Sequence, residues 1–217
     1  MPGTVTRLER LRGNCATWAT RSPAARTVQD VGRTLRNEQP GFHHVVTRGN
    51  NKRAVYLEDV DRTIFCLTLE RIRRRYEWDV LAYVLMRNHY HLLIRIGDRG
   101  LSDGMHDLNH SYAVTFNTRH DRINHLFGKR FWSRELTTDA SLQAAARYVV
   151  QNPRRAGLVT DLTAYAWSSY RATLGLEFAQ VTLARDQLLP FFGSTPMDSV
   201  AAYARFCEDL PLASEID

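Results

Sequence analysis

The sequence has few cysteines, no long apolar run and no internal repeat, and each absence removes a class of protein. Cys15, Cys66 and Cys207 are odd in number and far apart. That spacing argues against a disulfide framework and a cysteine zinc site, and points to a reducing compartment. No stretch approaches membrane-spanning length, and the first residues lack the hydrophobic core of a signal peptide. The expectation is a cytoplasmic protein with no membrane partner. Acidic residues are in deficit: 29 Lys and Arg face 23 Asp and Glu, a net charge of +6 with a pI near 9.5. Most of the excess is arginine, which forms bidentate contacts to phosphate, so nucleic acid is the first partner to consider.

Residues 1–40 carry seven arginines against few acids, with scattered Gly, Ser and Pro. They read as a basic, flexible extension with a short helix around Val28–Leu35. After Pro40-Gly41, Phe42–Thr47 reads as a strand, and Ala54–Leu57 as a second short one beyond the Arg48-Gly49-Asn50-Asn51 turn. His43 and His44 are neighbours, so at most one of them faces any site. Asp59 or Asp61 is placed to cap a helix whose Phe65, Leu69, Ile72 and Tyr76 form one apolar stripe, with Cys66 in the core. Trp78–Met86 and His89–Ile96 read as a hairpin, and Ser102 or Asp103 opens a helix with Met105, Leu108, Tyr112 and Phe116 on one face. Tyr112 therefore belongs to the core. Leu126–Arg134 interleaves basic and aromatic residues, a composition suited to stacking on bases and holding phosphates.

The chemistry centres on Leu85–Ile94. Strand alternation sends His89 and His91 to one face and Tyr90 and Leu92 to the other. Asp139 is placed to cap a helix that Pro153 ends, with Leu142, Ala146 and Val149 buried. Tyr148 and Asn152, four residues apart, share a face away from that stripe. Two imidazoles and an amide oxygen make a mixed nitrogen and oxygen site suited to Mg²⁺ or Mn²⁺ with positions open for phosphate oxygens. A free tyrosine hydroxyl, with a pKa of about 10, is a weak nucleophile, but metal polarisation of a phosphate and nearby cations lower the barrier to its attack. Short helical patterns follow at Ala184–Leu189 and Ser199–Leu210.

Taken in order, Val46–Asn51, Leu85–Ile94, His125–Phe131, Tyr148–Val159 and Trp167–Tyr170 resemble the HUH single-tyrosine transposases, and within them the REP-associated tyrosine transposases. The resemblance implies an α/β (α+β) fold: a ferredoxin-like antiparallel sheet with helices packed on it. The resemblance covers roughly residues 42–170, and the chain is expected to divide into a basic extension at 1–40, a catalytic domain at 41–160 and a helical C-terminal extension at 161–217. It also implies a metal-dependent endonuclease that cleaves and rejoins single-stranded or hairpin DNA, acting on repetitive palindromic elements through a covalent phosphotyrosine. Its nucleophile maps to Tyr148 and its metal ligands to His89, His91 and Asn152. The expected DNA contacts are Arg48, Asn50, Lys129, Arg130, Arg134 and Arg154. Arg87 and Tyr90 depart from the residues usual in the family beside the histidine pair. A non-catalytic DNA-binding regulator on the same scaffold is the alternative. A histidine-motif nucleotide hydrolase ranks last, because the third alternating histidine and the paired His-x-Thr/Ser elements are missing. Monomer and homodimer are both left open.

Overall fold

The computed structural model describes residues 39–209. The expected N-terminal extension, with the helix at Val28–Leu35, lies outside the described residues except for its last two positions. Strand β1 (Gly41–Arg48), helix α1 (Asp59–Tyr76), the hairpin β2 (Asp79–Met86) and β3 (His89–Ile96), helix α2 (Leu101–Arg119) and strand β4 (Trp132–Leu136) follow in order. Together they form an antiparallel sheet ordered β2-β3-β1-β4. This is the expected ferredoxin-like βαββαβ arrangement. Helix α3 (Asp139–Arg155) comes next, then α4 (Tyr170–Leu174), α5 (Arg185–Leu188) and α6 (Pro196–Glu208).

Strands β1, β2 and β3 are buried on both faces, so their sequences run almost continuously apolar. On one face, Phe65, Leu69 and Ile72 of α1 join Met105, Leu108, Tyr112 and Phe116 of α2 over Val45, Leu85, Tyr90, Leu92 and Ile94. Helix α2 comes close to Trp78 at Gly104, where a Cβ would lie 2.2 Å from the indole ring. On the other face, Leu142, Ala146 and Val149 of α3 cover Phe42, Val84, Met86 and Leu93, and Tyr203 and Cys207 of α6 complete the layer. Burial of each such large apolar side chain contributes about 1.5–3 kcal/mol. It fixes α3 across the sheet, with Tyr148 on the side turned from its core stripe.

Several local expectations are corrected. Glu58 is the cap of α1, and Asp61 reciprocates by accepting the Leu57 and Glu58 amides. Gly100 precedes α2, with no capping side chain. Thr138 caps α3 in place of Asp139, accepting the Ser141 amide at 3.2 Å. Pro153 does not stop that helix, which runs to Arg155. The stop is Gly157 at φ +70°, with its amide bonded to Arg154 O and the Leu158 amide to Pro153 O, a left-handed glycine closure. Ala54–Leu57 forms no strand. Val55 instead donates one bond to Arg87 O, and the edge position beside β1 is taken by β4.

Candidate active site

The pleat of β3 sends Tyr90 and Leu92 into the α1 and α2 layer and turns His89 and His91 toward α3. In the register, His91 lies opposite Val46 and His89 opposite Arg48 on β1. The same face of β1 therefore carries His44. Its Nε2 lies 3.0 Å from His91 Nδ1, with the two rings stacked at 5.2 Å. From α3, Tyr148 sets its ring 5.5 Å from His91 and 5.6 Å from His44, and Trp132 of β4 meets His44 at 5.5 Å. Tyr148 is 38% exposed.

The second histidine is held from another side. His89 Nδ1 lies 2.7 Å from Asn88 Oδ1. An amide oxygen only accepts, so Nδ1 carries the hydrogen and Nε2 keeps its lone pair. The Asn152 side chain lies beside His89 and favours its charged form, as an acceptor does. Asn152 Nδ2 donates to Tyr148 O at 3.0 Å, which leaves its carbonyl oxygen to face the histidine. The expected set of Tyr148, His89, His91 and Asn152 is thus brought together at one end of the sheet.

Burial, then the Arg134 charge, pushes His44 down to about 4. Burial, followed by His44, His89 and Arg48, holds His91 well below the ordinary imidazole value. Burial and Arg48 also lower His89, against the opposing influence of Asn152. All three rings are therefore neutral at pH 7, the state that ligates a metal. An unfolded chain takes up these protons near pH 6.5 and the folded one only below that, so stability is complete above about 6.5 and is lost as pH falls toward 4. In chelator, urea midpoints should fall over that window, with His44 alone contributing roughly 3 kcal/mol at its lower end. His44→Phe should flatten the fall, and an unchanged slope would contradict the reading.

The remaining site residues divide. Arg48 is exposed beside His89, and Gly128 N donates to its carbonyl while Asn50 N donates to Leu126 O, so the β1 turn and the basic aromatic run are one surface. Lys129, Arg130 and Arg134 are exposed there with Trp132, which is 51% exposed. Arg154 leaves the expected set: its guanidinium is committed to the Glu208 carboxylate, Glu208 O and Thr160 O, bracing α3 to α6. Tyr112 is fully buried and donates to Val55 O at 2.6 Å.

Two residues escaped the sequence reading. His44 was one of two adjacent histidines, and because both are buried no polar alternation told which one faced the site. Arg155 lies with its guanidinium 4.9 Å over the Tyr148 ring. Its position seven residues after Tyr148 places it two turns along the same helix face, a usable signal.

A family model described as "Transposase IS200 like" matches residues 41–152, just over half of the chain. The chain belongs to the IS200-like transposase family. The matched segment opens at the first residue of β1 and closes on Asn152, so it contains His44, His89, His91, Tyr148 and Asn152. A solved structure described as a REP-associated tyrosine transposase bound to a REP hairpin shares the fold. Its TM-score is 0.54 at 14% identity, over 72% of this chain and 93% of that one. A putative transposase from Deinococcus radiodurans R1 aligns at TM-score 0.39 and 14% identity, over 53% of this chain and 92% of that one. No curated protein matches this IS200-like transposase. Among the described residues no helix is long and apolar enough to cross a membrane.

Proposed function

We propose that this transposase cleaves and rejoins single-stranded or hairpin DNA through a covalent bond between Tyr148 and a DNA phosphate, using Mg²⁺ or Mn²⁺. The observation that carries the reading is the convergence of Tyr148 with the His89, His91 and Asn152 group across the β3–α3 packing. The tyrosine oxygen bonds to the scissile phosphorus as one strand oxygen leaves and takes a proton. The phosphotyrosine is later attacked by a strand hydroxyl, which releases the tyrosine. Bond types match on both sides, so no external energy source is required. Arg48, Arg134 and Arg155 surround the site and favour the phosphate's negative charge.

The donor set fits the proposed ion. Each histidine has a partner at Nδ1, Asn88 for His89 and His44 for His91, the outer-shell arrangement that orients a ligating imidazole through its other nitrogen. Among the described residues no three His, Cys, Asp or Glu are grouped to hold a metal, so a third protein donor would be of another type, and the Asn152 amide beside His89 would be that donor. The metal would polarise the phosphate and orient its oxygens. For His91 to offer Nε2, its Nδ1 must donate to His44 Nε2, which makes His44 the residue that sets the tautomer.

Gln151, one residue away, is buried and donates to Cys207 O and Asp209 O. Asn152→Ala should therefore weaken metal-dependent cleavage by 10-fold or more, on the order of an outer-shell loss at least, with little change in melting temperature. Gln151→Ala should leave metal dependence intact and cost about 1–3 kcal/mol of stability. The reverse ranking, read from metal titrations and melts, would move the third ligand to Gln151.

The hairpin preference draws on the solved neighbour described with a REP hairpin and on the exposed Lys129, Arg130, Trp132 and Arg134 surface. A labelled hairpin set run on denaturing gels tests the proposal: a protein-linked band that appears only with metal supports it. Hairpin binding with no linked band under any metal would favour a non-catalytic regulator.

A further inference from the structure

Beside His89, on the side away from β4, lies a cleft between the loop after β1, the β2–β3 turn and the end of α3. Lys52, Arg53 and Arg87 line it, together with His89 and the exposed, apolar Leu158. All three cations are exposed, and none has a side-chain partner among the described residues. Three exposed cationic side chains bordering one concave surface favour an anion there.

The frame that carries them is fixed. Gly49 N donates to Asn88 O at 2.8 Å, Asn88 Nδ2 donates to Lys52 O at 3.0 Å, and Val55 N donates to Arg87 O at 2.9 Å. The loop is thereby clamped to the hairpin turn. Asn51 and Lys52 both adopt left-handed backbone, at φ 51° and 58°. That conformation is uncommon for a lysine and persists where surroundings impose it, most often at ligand contacts. The sheet order then sets a line. The Lys129–Arg134 edge lies on the β4 side, the histidine and tyrosine group over β1 and β3, and the cleft at the β2–β3 turn.

We propose that the cleft holds the backbone phosphates of unpaired DNA on one side of the scissile phosphate, while the β4 edge holds the other side. The proposal rests on the DNA reading above and extends its binding surface past His89. A strand crossing from the β4 edge over Tyr148 enters the cleft past His89, and its phosphates replace the absent counter-charges of Lys52, Arg53 and Arg87.

The test is binding of wild-type protein in chelator, so that it does not depend on cleavage. The probes are a fluorescent DNA hairpin with no tail, with a 5′ single-stranded tail, and with a 3′ tail. Arg53→Ala/Arg87→Ala should bind one of the two tailed hairpins 10-fold or more weakly than wild type, and bind the untailed one equally. For that tailed probe the slope of log affinity against log salt should shrink by about 1.4, two lost phosphate contacts at ~0.7 each. Unchanged affinity for all three probes, or an equal loss across both tails or all three, would overturn the proposal. Absence of a covalent adduct would instead count against the cleavage reading and leave this result standing.

Discussion

Tyr148→Phe protein is expected to form no covalent DNA adduct and to lose cleavage by roughly 10³-fold or more, the scale at which removing a nucleophile acts. The substitution deletes one hydroxyl that bonds to no described residue and keeps the ring that meets His44 and His91. Stability should therefore stay within about 0.5 kcal/mol of wild type, and hairpin and metal affinity should persist. The contrast is Tyr112→Phe. That hydroxyl is enclosed in the core and donates to Val55 O, so its loss should cost about 1–2 kcal/mol of stability and leave cleavage in place. Quantified gel assays and thermal melts of the two variants separate chemistry from folding. Normal cleavage by Tyr148→Phe would remove the tyrosine from the mechanism.

The second large effect concerns the metal. His91→Ala removes a proposed ligand and the partner of His44, and cleavage should fall by more than the 10–100-fold typical of an outer-shell loss. Most DNA affinity should remain, because phosphate contacts come from cations elsewhere: Arg48, Lys129, Arg130 and Arg134. The side chain is 4% exposed, so the variant also loses some packing. Excess chelator on the wild-type protein gives the same comparison without a substitution. Chelation should stop cleavage, Mg²⁺ or Mn²⁺ should restore it, and His91→Ala should not be restored at the same metal concentration. Equal cleavage with and without chelator would refute the metal assignment.

The sheet and the long helices were legible because their signals are periodic. The His-x-His parity on β3 placed both imidazoles on one face, and the Leu142, Ala146 and Val149 stripe placed Tyr148 and Asn152 off the core. What was not legible came from tertiary competition. β4 is a short edge strand whose Trp132 and Arg134 are exposed, so it showed no apolar pattern and read as a binding run. Pro153 looked like a terminator, but a helix that has reached its last turn tolerates the missing donor, and Gly157 ends it two residues past Arg155. Arg154 looked like a free cation in a DNA-contacting segment, and only the packing of α6 on α3 reveals Glu208 as its partner. His44 could not be chosen over His43, since β1 is buried on both faces and either parity satisfies the burial pattern.

The central claim is the identity of the residue that carries DNA, and peptide mapping tests it directly. Wild-type protein would be incubated with a labelled hairpin and Mg²⁺ or Mn²⁺, the adduct digested with protease and nuclease, and the modified peptide sequenced by mass spectrometry. The account predicts a nucleotide phosphate on Tyr148, in the peptide that ends at Arg154 after tryptic cleavage downstream of Arg147. A nucleotide on Tyr112, or on any other residue, would contradict it.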